Sequence, residues 1–267
     1  MATITAQMVK ELRDKTDAGM MDCKRALTAA EGDMEKAVEN LRKAGIAKAA
    51  KKAGRTAKEG LVVSHITTNA AAMVEVLCET DFVSRNDKFQ SYAQDLASRI
   101  TDTFEGDGDL SSQVAEDQTG AIGELVAVIG ENIQVRRVAR WEGDSMFASY
   151  LHMGGKIGVL VEAAGEADDE LLNDVCMHIA AFNPRYVAPD DVPADVMEKE
   201  KEIAKAQVQG KPENIMDKIV EGKVRKWQTE VCLTKQPWLR DDKTTLEKVA
   251  PKLHIKRFLR WAVGEDL

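Results

Sequence analysis

The stretch "MVEVLCETDFVSRNDKFQSYAQDLASRI", residues 73–100, joins two different periodicities. Residues 73–78 are apolar almost without a break and rich in strand formers, as expected of a buried strand. Phe89, Tyr92, Ala93, Leu96 and Ile100 then recur at helical spacing. Asp81 and Phe82 lie in the connection between strand and helix, and connections run over the surface. An Asp in such a place ordinarily caps the following helix, and a Phe ordinarily turns into the core.

Outward from this stretch the same order of elements occurs twice. Residues 61–67 and 73–78 read as two strands around a Thr-Asn turn, followed by the helix that ends near Ile100. Residues 146–152 and 157–163, around Gly154-Gly155, repeat that order and lead to a helix over 170–182 carrying Leu171, Leu172, Val175, Ile179 and Phe182. The pattern reads as an internal duplication. The second copy connects strand to helix through "AGEADDE", which has no aromatic residue, so Phe82 is more than such a connection needs. Between the copies, the acidic "FEGDGDLSSQVAEDQTG" reads as a loop. After it come a helix with Ile122, Leu125, Val126 and Ile129, closed by Gly130, and a strand over 133–141.

The first 45 residues or so are helical. Met8, Val9 and Leu12 mark one helix, Cys23, Ala26, Leu27 and Ala30 a second, and Met34, Ala37, Val38 and Leu41 a third. Gly19 and Gly32 separate them, with Asp22 and Asp33 placed as N-caps. Residues 42–58 then hold seven basic side chains and no acidic one; the Ala-rich "AKAAKKAG" reads as a solvated helix leading into a linker, and contact with phosphate is the alternative. Near the other end, residues 193–226 read as two helices broken at Gly210-Lys211-Pro212. Val196, Ile203 and Val208 form the apolar stripe of one, and Ile215, Ile219, Val220 and Val224 that of the other. The expected class is α+β: a three-helix module with its basic segment at 1–54, a core subdomain at 55–142, and a second at 143–267 with an antiparallel helical hairpin at about 192–226.

Whole-chain chemistry narrows the function. A net charge of -8 argues against a general polyanion binder. Four scattered cysteines without CxxC spacing read as reduced thiols, and four dispersed histidines follow no ligand pattern, so neither a metal site nor a cofactor is expected. GxxxxGK[ST], GxGxxG and GxSxG are absent. No apolar run approaches membrane-spanning length and the N-terminus carries no signal core, so a cytoplasmic protein is expected.

Two long stretches, "LRDKTDAGMMDCKRAL" at residues 12–27 and "EVLCETDFVSR" at 75–85, resemble the signatures of the bacterial elongation factor Ts family. The resemblance extends through the basic segment, "IGENIQVRR" at 129–137, the hairpin and "LTKQPWLRDD" at 233–242. It implies a ubiquitin-associated-like N-terminal module, two related α+β subdomains and a protruding hairpin. It also implies guanine-nucleotide exchange on elongation factor Tu, with no chemistry on a substrate and no direct nucleotide binding. Carried over by position, Thr80, Asp81, Phe82 and Val83 match the segment that inserts beside the GTPase's magnesium and phosphate region, with Ile129, Gly130 and His152 near the same contact. Lys10, Arg13, Met20, Met21 and Lys24 match the N-terminal contact, and Leu239 and Arg240 a more variable one. Met20 and Met21 cannot both face inward on one helix, so at least one should be exposed. Asp17 stands where the family usually has Gly, and the chain ends at "RWAVGEDL" where many members continue into a further helix. No nucleic acid or membrane partner is expected, and the resemblance leaves room for a homodimer or a heterotetramer with the GTPase. An RNA-binding module using the basic segment, or an adaptor using the three-helix bundle, is the competing class.

Overall fold

The computed structural model describes residues 3–208 and 213–267, and the chain divides into two compact units. The expected helix break at Gly210-Lys211-Pro212 lies outside the described residues.

The first unit comprises Met1–Glu142, Met153–Ile157 and Ala262–Leu267. It opens with α1 (Ala6–Thr16), α2 (Met20–Ala29) and α3 (Met34–Lys52), whose facing residues, among them Val9, Leu12, Cys23, Leu27 and Ala37, make one small core. Asp33 caps α3 by accepting the Lys36 N–H, as its position in the sequence suggests. Asp22 does not cap α2. That helix starts earlier, behind Gly19, and leaves Asp22 in its first turn, where the carboxylate accepts a 2.8 Å hydrogen bond from Lys48 of α3 and pairs with Arg25. Asp17 closes α1 in the left-handed conformation, φ 54°, which explains why a glycine suits this position and why Asp, which also visits that region, is accepted.

β1 (Glu59–Ile66), β2 (Ala70–Cys78), α4 (Asp81–Ser84), α5 (Asp87–Thr103), β3 (Gly108–Asp109), α6 (Ser111–Asp117), α7 (Thr119–Ile129) and β4 (Gln134–Glu142) follow. The sheet is antiparallel in the order β1-β2-β4-β3. Central β2 is buried along all nine residues, hence its unbroken apolar run. Val74, Val76 and Cys78 on one of its faces share a core with Phe89, Ala93, Leu96 and Ile100 of α5. Glu75 points the other way and is fully buried, yet it is satisfied by Arg137 at 2.6 Å, Arg136 at 3.5 Å and the Gly264 N–H at 2.9 Å. The acidic segment expected to be loop contains β3 and the seven-residue α6, anchored by buried Val114; one buried residue in so short a helix shows no period. The basic segment is helix as far as Lys52, and α3 also packs on α7. A Cβ on Gly45 would lie 2.6 Å from the Gly123 carbonyl oxygen, and one on Gly123 would lie 2.8 Å from the Ile46 nitrogen, so two glycines set this close helix crossing.

The second unit comprises Gly143–His152 and Gly158–Trp261. Its elements are β5 (Met146–His152), β6 (Ile157–Gly165), α8 (Asp169–Phe182), α9 (Ala194–Ala206), α10 (Glu213–Val231), β7 (Pro237–Trp238), β8 (Asp241–Thr245), α11 (Leu246–Val249) and β9 (Leu253–Ala262). β5, β6 and β9 form one sheet with β6 in the middle, and β7 pairs with β8. Val159 and Val161 of β6 are fully buried, as are Val175 and Ile179 of α8. Glu162 is another buried carboxylate with partners, Arg257 at 2.6 Å and Ser145 at 2.8 Å. α9 and α10 pack through Ala204, Val220 and Val224, with Val208 just past the end of α9 in the same cluster. Ile203 and Ile215, expected on the apolar stripe, are exposed: on α9 the small Ala204 takes the helix contact beside Ile203, and on α10 Met216 and Ile219 pack there while Ile215 does not; Val196 packs instead with Tyr186, Val192 and Trp227. The α+β class is thus realised with small antiparallel sheets.

Candidate functional site

Between β2 and α5 every local requirement of the backbone is met by residues other than Asp81 and Phe82. Thr80 caps α4, its hydroxyl accepting the Val83 N–H at 3.4 Å, and Asn86 caps α5 by accepting the Lys88 N–H at 3.0 Å. Asp81 therefore caps nothing; it lies in the first turn of α4 and pairs with Arg85 at 3.2 Å. Val83 packs on the core and Ser84 is buried. Successive helical residues point about 100° apart, so a helix that turns Val83 and Ser84 inward turns Phe82 out, and Phe82 is 82% exposed. The Cys78 thiol beneath this turn donates to the Thr80 carbonyl at 3.2 Å, and burial pushes its pKa up to about 12, so it stays a neutral donor.

Ile129 and Gly130 end α7 next to this turn. Gly130 is left-handed, φ 90°, with its N–H on the Val126 carbonyl, and Ile129 packs on the same core as Val83. The Glu131 carboxylate accepts the Glu79 and Thr80 N–H groups at 3.0 Å each and the Thr80 hydroxyl at 2.7 Å. Glu79 accepts the Asn132 N–H at 2.7 Å and pairs with Arg55 at 3.4 Å; the Asn132 bond above all holds its carboxyl below the usual carboxylate range. Nothing in the local sequence marks Glu79, Glu131 or Asn132 for this role, except that "EN" directly follows the helix-ending glycine. Their partners lie some fifty residues away.

The N-terminal module brings its five candidates together. Lys10 and Arg13 of α1 and Met20, Met21 and Lys24 of α2 line one groove of about 390 Å³, with Ile4 and Val9 in its wall. Met20 is 59% and Met21 61% exposed, so both methionines lie open where helix geometry required only one. In the second unit, His152 is exposed at the end of β5, its Nδ1 3.0 Å from the Tyr150 hydroxyl. Leu239 is half-buried, and exposed Arg240 forks onto Asp174 of α8 at 2.6 and 2.9 Å. Among the described residues, no group of three or more His, Cys, Asp or Glu is placed to hold a metal ion, and no helix is long and apolar enough to cross a membrane.

A phenylalanine and two methionines thus stand in the open on ordered helices of an α+β chain. The family model described as Elongation factor TS matches residues 79–265, most of the chain. The protein belongs to the elongation factor Ts family, whose members bind elongation factor Tu and act as its guanine-nucleotide exchange factors in translation elongation.

Proposed function

We propose that this chain promotes GDP release from elongation factor Tu by pressing Phe82 and Asp81 into the GTPase beside its magnesium and phosphate site. The observation that carries the reading is Phe82 itself, 82% exposed on a turn whose caps and core contacts are all supplied by its neighbours. Exchange works by linkage: a factor that binds the empty GTPase more tightly than the loaded one weakens the nucleotide by the same ratio. Phe82 acts as an apolar wedge whose burial is worth ~1.5–3 kcal/mol. Asp81 redirects polar groups that support Mg²⁺, one of the largest local charges in such a site, so a small shift of its ligands weakens nucleotide binding strongly. Thr80 and Val83 hold the turn, Ile129 and Gly130 join the contact, and His152 of the second unit touches the same GTPase.

Lys10, Arg13, Met20, Met21 and Lys24 form an anchoring groove, and Leu239 and Arg240 a lesser contact. The N-terminal three helices are a ubiquitin-associated-like module, the two strand-strand-helix orders descend from a duplication, and α9 with α10 forms the projecting hairpin. The basic segment serves the fold rather than RNA: Lys48 is bonded to Asp22 and Lys52 to the Gly130 carbonyl.

The test is release of a fluorescent GDP analogue from elongation factor Tu, followed with and without a magnesium chelator, for the wild type and Asp81→Asn. Wild type accelerates release in Mg²⁺, and its advantage over Asp81→Asn shrinks once Mg²⁺ is removed. An advantage of the same size under chelation contradicts the magnesium step, and no acceleration by the wild type contradicts exchange altogether.

A further inference from the structure

We infer that Glu131 is a positioning residue for the Phe82 turn, holding it at the angle at which Phe82 meets the GTPase; the inference rests on the exchange reading above. α7 ends at Gly130, whose left-handed backbone turns the chain so that the next side chain faces the connection after β2. Glu131 then spends both carboxylate oxygens on that connection. Oε2 accepts the N–H groups of Glu79 and Thr80 at 3.0 Å each, and Oε1 accepts the Thr80 hydroxyl at 2.7 Å. Such charge-assisted bonds are stronger than neutral ones, and three of them from one carboxylate fix the connection in several directions at once.

The Thr80 hydroxyl it holds is the same group that caps α4, so two hydrogen bonds sharing that hydroxyl join the carboxylate to the helix bearing Phe82. The grip is reciprocal. Glu79 reaches back to the Asn132 N–H at 2.7 Å, and Asn132 donates to the Arg55 carbonyl at 2.8 Å. Lys52 donates to the Gly130 carbonyl, and Gln134 to that of Ala53 at 3.3 Å, so the end of α3 is tied to the same connection. Two connections that exchange carboxylates in this way cannot tilt independently. Phe82, which touches little of its own protein, takes its direction from them.

Three acceptor bonds from one carboxylate suit Glu at this position. Gln can keep its one oxygen on the two N–H groups but turns an NH₂ toward the Thr80 hydroxyl, which then loses its charged acceptor, and Ala keeps nothing. Loss of the carboxylate frees the turn without altering Phe82 or the N-terminal groove, so it acts on the rate at which bound complex releases GDP and not on assembly of the complex.

The experiment is a double-mutant cycle in exchange with elongation factor Tu, using wild type, Phe82→Ala, Glu131→Ala and the double variant, with Glu131→Gln in parallel so that the test stands if the alanine variant does not fold. The expected result is that Glu131→Ala lowers the maximal release rate about tenfold and changes the half-saturating concentration less than about twofold. Glu131→Gln falls between it and the wild type, and Glu131→Ala adds nothing in the Phe82→Ala background. Equal slowing by Glu131→Ala in both backgrounds, or a maximal rate unchanged by Glu131→Ala and by Glu131→Gln, overturns the inference while leaving the exchange reading intact. A normal maximal rate for Phe82→Ala overturns that reading, and the inference with it.

Discussion

Single residues in this protein divide by whether their partners are near or far in the chain. Asp33 is legible as a cap because a cap satisfies N–H groups two or three residues away. Asp22 misleads for the same reason: it has the right residue type next to a helix start, but Lys48, 26 residues on, claims its carboxylate. The Lys48 hydrogen bond above all, opposed by burial and helped by Arg25, holds Asp22 below its ordinary pKa of 3.8. Its folded value is thus lower than its unfolded one, so its contribution is complete above the ordinary value and is lost as pH falls through the folded value. For so exposed a pair that contribution is under about 1 kcal/mol. The stability gap between wild type and Asp22→Asn should therefore close below pH ~3.8, and a gap in urea unfolding that persists undiminished into stronger acid would count against the pair. Glu75 is a larger case, since its buried carboxylate faces Arg136 and Arg137. Glu75→Ala should cost up to about 3–5 kcal/mol, because Arg136 loses its carboxylate while Arg137 keeps Glu265 at 2.8 Å, and a loss below about 1 kcal/mol in the same assay would show that Glu265 and solvent suffice for both.

At the scale of elements, long and periodic segments were readable and short or crossing ones were not. β2 and α5 declare themselves through a buried run and a clean helical stripe. α6 does not, because seven residues with one anchor carry no period. The contact between α3 and α7 was invisible for another reason: Gly45 and Gly123 look like weaknesses in a helix, costing roughly 1 kcal/mol each against Ala, until the second helix is placed against them. Gly123→Ala removes that intrinsic cost but puts a methyl 2.8 Å from the Ile46 nitrogen, so the helices must separate. It should destabilise the protein by about 1–3 kcal/mol, the range for overpacking. A raised melting temperature would mean that the crossing is looser than its geometry shows. The candidate site has the same character: Phe82 stood out from the sequence through its contrast with "AGEADDE", whereas the Glu131 bonds that hold its turn join segments some fifty residues apart.

For the molecule as a whole, the N-terminal helices are not a detachable appendage of the first unit, because α3 covers part of α7. Removing residues 1–32 leaves α3 in place and takes away the groove that holds Met20 and Met21, so it should weaken binding to elongation factor Tu while the rest of the chain stays folded. Removing residues 1–54 also bares α7 and should lower the melting temperature further; equal melting temperatures for the two truncations would contradict that difference. On the proposed exchange reading, one exposed aromatic side chain is kept for the partner and not for the fold. The most direct measurement of this claim is made on Phe82→Ala, pairing thermal unfolding of the variant alone with stopped-flow GDP release from elongation factor Tu. An exposed side chain contributes little to stability, within about 0.5 kcal/mol, so the melting temperature should hold while release slows tenfold or more, the effect of losing about 1.4 kcal/mol of differential binding. A stability loss of about 3–5 kcal/mol, as for a core phenylalanine, or release as fast as with the wild type, would contradict the claim.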